Sequence, residues 1–253
     1  MEVIDKISNS RIILKEILED EWNTTNIPVL SKKDIEELFP LKSIKNNILN
    51  ILGNGGRCSF SLDHKIVPEH RLHIFYYNFP ELGKNTSKTT KSIINKINQI
   101  YDTYINKTDN ILIIINEPVG DNIHNMIDNI NINNLKSSYN TSYSDDFSSI
   151  ISKFKDNNIH LNNKHFRNVH ILSINSLQVN LLKHDYVPTH KCIRDENKIN
   201  EILKLCNCKS HQLPIISKND IISRLYLSSI GDIIEITRIS KKSGEYKYYR
   251  ICK

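Results

Sequence analysis

The chain has 253 residues, of which 39 % are apolar, and carries 34 Lys and Arg against 28 Asp and Glu, a formal charge of +6; that length holds two modest domains with cores of their own. Five cysteines (Cys58, Cys192, Cys206, Cys208, Cys252) make an uneven set with no secretory signal before them, which excludes a disulfide framework and suits a reducing compartment. The run Ile111 to Ile115 has strand length and no apolar run is long enough to span a bilayer, so a soluble, intracellular protein is expected.

Met1 to Asp20 reads as an amphipathic helix with Ile4, Ile7, Leu14 and Leu18 on one stripe, widened by Ile13 and Ile17 and interrupted by Arg11. Ile27 to Leu30 is an extended connection. Ser31 can then cap a helix through Leu38, with Asp34 placed for a near capping box, and a third amphipathic piece, Lys42 to Leu52, ends at Gly53. Gly53-Asn54-Gly55-Gly56-Arg57 lacks the Lys-Ser/Thr and the preceding strand of a phosphate loop, and Gly83-Lys84 fails the same test because Asn85 follows. Both are read as loops.

Arg57 to Leu62, His70 to Asn78 and Ile111 to Ile115 read as strands, the last central because it lacks polar alternation. Lys91 to Ile105 offers a helix burying Ile94, Ile97, Tyr101 and Tyr104, so a mixed or parallel sheet is expected. Asn116-Glu117-Pro118 turns the chain into a short helix, Asn122 to Ile130. Residues 133–149, almost wholly Asn, Ser, Tyr, Thr and Asp, are expected to be a solvated loop or insertion. Phe166 to Ile174 is a last strand covered on both sides, and Ser176 to Lys183 leads out of an N-terminal α/β domain, 1–182.

The C-terminal stretch, 183–253, reads as a small α+β domain ending in a β-hairpin. Val187-Pro188 enters extended. Asp195 caps a helix with Ile199, Ile202, Leu203 and Cys206 on its buried face and Lys198, Glu201 and Lys204 in water. Gln212 to Ile216 is a short strand entered through Pro214, and Asp220 caps a second helix to about Leu227. Gly231 punctuates. Ile233, Ile234 and Ile236 then form a strand, Ser243-Gly244 a turn, and Tyr246, Tyr248, Tyr249 and Ile251 the return strand.

The charge excess sits here: residues 185–253 hold 13 Lys and Arg against 8 Asp and Glu, net +5, while residues 1–184 hold 21 against 20, net +1. That distribution favours an acidic partner for the C-terminal domain over a broad DNA-binding face on the N-terminal one.

The run His184-Asp185-Tyr186-Val187-Pro188-Thr189-His190, then Gln212-Leu213-Pro214, Asp220, Gly231, Arg238 and the stretch Ser243 to Cys252, resembles the assembly domain of the fifth-largest subunit shared by eukaryotic RNA polymerases I, II and III. The short archaeal counterpart of that protein is similar to this part alone. The pattern departs at Ile221, where the family usually has proline, and at Leu227, where it has glycine. The resemblance implies a non-catalytic subunit of a DNA-directed RNA polymerase. Its C-terminal domain would dock on the largest subunit, and its N-terminal domain would form the lower jaw near downstream DNA.

By the same resemblance the partner interface is assigned to His184, Val187, Pro188, His190, Gln212, Leu213, Pro214, Asp220, Gly231, Arg238, Gly244, Tyr246, Tyr249 and Arg250. Arg57, Lys84, Lys88 and Lys91 are the residues offered to DNA. Partners are the polymerase core and, only within the complex, DNA; no cofactor, small-molecule ligand or membrane is expected. A longer, divergent N-terminal domain in an AT-rich coding style looks like a polymerase of a large DNA virus, acting in virion and host cytoplasm; an AT-rich cellular parasite, with a nuclear protein, is the alternative.

Two constellations compete with this reading. Cys206-x-Cys208-x-x-His211, with Cys192 and His190, is the best zinc candidate, but the apolar-stripe role already explains Cys206. Asp63-His64-Lys65 has the Asp-x-Lys arrangement of nucleases, and the family's N-terminal domain resembles restriction-endonuclease topology, yet no second carboxylate presents itself at a strand end. No Ser/His/Asp set stands out among ten histidines. A free-standing interaction protein carrying the assembly domain is the remaining alternative.

Overall fold

A computed structural model describes residues 3–40, 48–81, 92–139, 144–240, 242 and 244–253. Its contacts group into two compact units, 1–150 with 166–179, and 151–165 with 180–253. Each carries a four-stranded sheet flanked by helices, an α+β architecture as expected.

The N-terminal unit opens with α1 (Val3–Leu18), which buries Ile4, Ile7, Leu14, Ile17 and Leu18. Arg11 does not break this stripe. Its guanidinium is buried, donating to the Cys58 carbonyl at 2.6 Å and the Pro28 carbonyl at 3.0 Å, and lies over the Phe60 ring. Helix α2 (Lys32–Leu38) begins in a full capping box, Ser31 Oγ accepting from the Asp34 amide and the Asp34 carboxylate from the Ser31 amide. Of the predicted helix Lys42 to Leu52, α3 (Ile48–Leu52) is seen, and 42–47 lie outside the described residues.

The sheet runs β1 (Phe60–Asp63), β2 (Arg71–Tyr76), β3 (Asn110–Ile115), β4 (Val169–Ser173), antiparallel at β1–β2 and parallel thereafter. Parallel neighbours need crossovers, supplied by α4 (Ser92–Thr103) between β2 and β3 and by α5 (Asp121–Ser138) with α6 (Ser144–Asp156) between β3 and β4. Every residue of β3 and β4 is buried, as the unalternating sequence requires. Ile111, Ile113 and Ile115 pack with Ile93, Ile97 and Ile100 of α4 and Ile123, Ile127 and Ile130 of α5.

Two expectations for this unit are corrected. The buried stripe of α4 is Ile93, Ile97, Ile100 and Tyr101, rotated from the predicted one, and Ile94 and Tyr104 sit at its margin. The polar stretch 133–149 is not a loop over its described residues: α5 continues to Ser138 and α6 starts at Ser144. The reason lies in Asn134, whose side chain donates to the Arg167 carbonyl and accepts from Arg167 Nε, so a buried asparagine fills a position that helix periodicity gives to an apolar residue.

In the C-terminal unit, β5 (Thr189–Ile193), β7 (Ile233–Ser240) and β8 (Gly244–Cys252) are antiparallel neighbours, and the two-residue β6 (Ile215–Ile216) lies parallel to the end of β8. Of the predicted Ser243-Gly244 turn, Ser243 lies outside the described residues. Period-two alternation divides the sheet cleanly. Ile193, Ile233 and Ile251 face α7 (Glu196–Leu205) through Ile199, Ile202 and Leu203, whereas Cys192, Ile234, Ile236, Tyr248 and Cys252 cluster on the other face with Ile216.

Both helices between β5 and β7 end in Schellman turns. After α7, the amide of Cys208 bonds to the Leu203 carbonyl and that of Asn207 to Lys204; after α8 (Ile221–Leu225), Ser228 bonds to Ser223 and Leu227 to Arg224. The turn residues Asn207 and Leu227 have φ of 47° and 51°. Leu227 thus stands in a left-handed position that suits the family's glycine, and the chain keeps the glycine geometry with a leucine in it. The turn also corrects the place of Cys206. It caps α7 and is exposed, while Cys208, two residues on, takes the contact with the Ile202 cluster. Because Asn207 is exposed and needed only for its backbone, Asn207→Ala is expected to lose about 1 kcal/mol of stability and Asn207→Gly to lose none, measured by urea denaturation.

Candidate interaction surface

The second sheet is positioned by Asp232, which directly precedes β7 and is 0 % exposed. Its carboxylate accepts from His165 Nε2 at 2.9 Å and from the Ser229 amide at 2.8 Å, with Lys164 Nζ at 3.5 Å and Arg194 Nε at 3.6 Å. Its backbone carbonyl takes the Cys252 amide at 2.8 Å. Burial alone would raise the carboxyl pKa; the His165 hydrogen bond and the charges of His165, Arg194 and Lys164 outweigh that and leave it lowered. Gly231 suits the position beside it by its φ of 88°, and a Cβ there would meet the flexible end of Lys164, Nζ standing 3.0 Å away.

Of the residues assigned to a partner, the fold brings one group together. Arg238 and Arg250 share the face of Ile234 and Ile236, with His190 on β5 opposite Ile236. Tyr246, opposite Arg238, is 40 % exposed. Burial lowers the His190 pKa, and the charges of Arg238 and Arg250 push the same way against a bond to the Pro188 backbone and the attraction of Asp220, so His190 lies within the field of all three.

The other assigned residues hold the frame. Asp220 caps α8 through the Ile222 amide, and Leu213 belongs to the α7 cluster. Gln212 accepts from the Lys209 amide. The Pro214 carbonyl takes the Ile251 amide, pinning β6 to β8. Gly244 starts β8 with φ of 69°. His184 closes a turn on Tyr186 and Val187, ahead of half-buried Pro188. Tyr249 lies on the α7 face, away from the arginines.

Tyr248, Arg224 and Asp232 were not among the residues assigned to a partner from the sequence. Tyr248 is the residue both arginines lie against, at 5.0 and 5.6 Å from its ring centroid, and the alternation of β8 is the signal that could have found it. Of the residues offered to DNA, Arg57 donates to the Glu37 carbonyl at 3.4 Å, and Lys84, Lys88 and Lys91 lie outside the described residues.

The competing constellations come apart. Cys192 faces Ser228 and Asp232 on one side of the sheet while Cys208 packs on the other, so the zinc candidate is divided by a strand layer. Asp63 is taken by Arg71 in an ion pair of 2.9 Å, and the His64 ring packs edge-on to Trp22. The fold does, however, assemble a Ser/His/Asp chain that the sequence did not disclose. Ser61 Oγ lies 2.7 Å from His73 Nδ1, and His73 Nε2 lies 3.0 Å from Asp109. Ser61 and His73 are direct cross-strand partners, and Asp109 also accepts the Arg71 amide. The ring nitrogens are used in the opposite sense to a serine hydrolase. The chain ties β1, β2 and the entry to β3 together.

Removing the Asp232 carboxylate strands three basic groups in its pocket. Asp232→Ala is therefore expected to lose about 3–5 kcal/mol, seen as a lower urea midpoint. Because the folded pKa is lowered, the stabilisation is complete above the ordinary carboxylate pKa, about 3.9, and fades as pH falls through the folded value. The difference between wild type and Asp232→Ala should shrink on acidification.

Residues 179–252, which span the whole second sheet, match the family model described as RNA polymerase Rpb5, C-terminal domain. The chain is 50 % identical over 70 residues to the DNA-directed RNA polymerase subunit Rpo5 of Aeropyrum pernix, covering 28 % of this chain and 77 % of that protein. It is 37 % identical over 71 residues to Rpo5 of Methanosarcina barkeri, 28 % of this chain and 90 % of that one. It is also 40 % identical over 69 residues to the DNA-directed RNA polymerases I, II, and III subunit rpabc1 of Dictyostelium discoideum, 27 % of this chain and 34 % of that protein. Through this C-terminal domain the chain belongs to the Rpb5 family of RNA polymerase subunits.

Proposed function

We propose that this chain is a non-catalytic assembly subunit of a DNA-directed RNA polymerase, docking on the largest subunit through its C-terminal unit and lending its N-terminal unit as a lower jaw beside downstream DNA. What carries the reading is the extent of the family match: it takes in β5 to β8 and both helices between them, hence the frame and the cationic face together. The N-terminal unit supports a jaw role by its charge. Residues 1–184 have 21 basic and 20 acidic side chains, so they can touch phosphates within a complex without holding DNA alone. Phosphodiester chemistry is left to other subunits, and the nuclease alternative loses its carboxylate to Arg71. Among the described residues no helix is long and apolar enough to cross a membrane. The source is read as a large DNA virus, which would put the protein in host cytoplasm and virion.

The test is to tag the N-terminus, recover the protein from its source and identify what accompanies it by mass spectrometry. Near-equal amounts of the two large polymerase subunits are expected, and their origin fixes the compartment; a recovery without them would sink the subunit reading. Alone, the full chain should bind duplex DNA with a Kd of about 1–100 μM at physiological salt and weaken further as salt rises. A submicromolar, salt-resistant complex would overturn the jaw assignment.

A further inference from the structure

We infer that the face bearing Arg224, Arg238 and Arg250 is the docking site for an acidic peptide segment of a partner polymerase subunit. The inference rests on the subunit reading above and specifies the chemistry of the contact. Along β7 and β8 the even-numbered residues share one face; Ile234, Ile236 and Cys252 bury its inner half, and Arg238, Tyr246, Tyr248 and Arg250 continue it outward, half-exposed or exposed.

The arginines here lack the acidic partners that Lys164, Arg194 and Lys247 have. Lys164 and Arg194 meet Asp232, and Lys247 on the opposite face meets Glu235 at 3.1 Å. Among the described residues, Arg224, Arg238 and Arg250 make no ion pair. Nε of Arg224, Nε of Arg250 and Nδ1 of His190 are buried without a hydrogen-bond partner. Polar atoms withdrawn from water in this way are unfavourable until a partner arrives, and for the two arginine nitrogens that partner must be an acceptor. Asp220, the acid that both His190 and Arg224 sense, supplies one negative charge against three guanidiniums.

Guanidinium forks match carboxylates two oxygens at a time, and adjacent forks fit successive acidic side chains of an extended segment. A nucleic acid suits the face less well. Tyr248 already carries Arg238 and Arg250 against its ring, which leaves Tyr246 as the exposed ring beside it, and single-strand binding draws on several free aromatic faces.

The experiment compares the full-length wild type with an Arg238→Gln/Arg250→Gln double variant and a Lys191→Gln/Lys247→Gln control on the other face. Each is titrated by fluorescence anisotropy against a labelled oligo-glutamate peptide and a labelled DNA duplex, and each is used as bait in the polymerase pull-down, with thermal melts to verify folding. The wild type and control should bind the peptide, and the arginine variant should bind it at least about tenfold more weakly and recover less of the large subunits. Absence of peptide binding by the wild type overturns the inference, as does undiminished binding or recovery by the arginine variant. DNA binding that exceeds peptide binding and is lost with the arginines overturns it too, reassigning the face to nucleic acid. The subunit reading fails separately, when the wild type recovers no polymerase subunits.

Discussion

The C-terminal unit depends on a carboxylate held entirely out of water. Taking Asp232 from solvent is unfavourable by several kcal/mol unless hydrogen bonds and opposite charges surround it, and the chain surrounds it from three directions. His165 and Lys164 come from the segment before the second sheet, Arg194 from the link between β5 and α7, and the Ser229 amide from the turn after α8. Such a cluster adds little net stability over a well-packed apolar one. It fixes which segments must meet. Once Asp232 is in place, its carbonyl pairs with Cys252 and the register of β7 against β8 follows, and with it the placement of every side chain on the hairpin. The family model covers 179–252 while Lys164 and His165 precede it, so this chain draws two of the Asp232 partners from outside the matched region.

The N-terminal unit solves a related problem with neutral and acidic groups. Its β2–β3–β4 core is largely apolar, and buried polar groups collect at the strand entrances, where Asp109, Asn110, His70 and His73 are all buried. Ser61, His73 and Asp109 line up there because β1 faces β2 and β2 faces the start of β3, and the buried His73 and Asp109 need partners, His73 taking its second from the exposed Ser61. A hydrogen-bonded Ser/His/Asp chain is thus a product of sheet geometry before it is a sign of catalysis. Its reversed ring nitrogens and the second use of Asp109 by the Arg71 amide fit the structural role.

What could be read in the sequence was local. The Ser31 capping box, the Asp195 and Asp220 caps, the unalternating β3 and the β7–β8 hairpin each announce themselves within a few residues, and each stands where the local pattern puts it. Local signals failed where a competing local rule won or where the contact was distant. Cys206 fits the apolar period of α7, yet the helix unwinds at Asn207 and hands the core position to Cys208. Asn134 looks like loop composition and is a buried helix residue, because Arg167 supplies both its partners from beyond the next helix. Asp232 and His73 belong to pairs separated by 67 and 36 residues, and nothing adjacent to them marks the pairing. The arginine face falls between these cases: its alternation was visible, but the lack of counter-charges became apparent only when β5, β7, β8 and α8 were assembled.

The two faces of the β7–β8 hairpin show why that lack has consequences. Lys247 and Glu235 pair across the strands on the α7 face, an arrangement exposed at the lysine alone that leaves neither charge of the pair unbalanced. On the other face Arg238 and Arg250 settle against Tyr248, which shelters their planes through cation–π contact but offers their N–H groups no acceptor. An aromatic ring therefore preorganises the guanidiniums without satisfying them. Their rotamers are restricted before any partner comes, which lowers the entropy lost on binding, while their hydrogen-bonding capacity is kept for the partner. The Asp232 cluster and this face are two outcomes of the same chemistry. Where a carboxylate is built into the chain, basic groups lock the fold; where it is withheld, their hydrogen-bonding capacity is left open to a carboxylate from another chain.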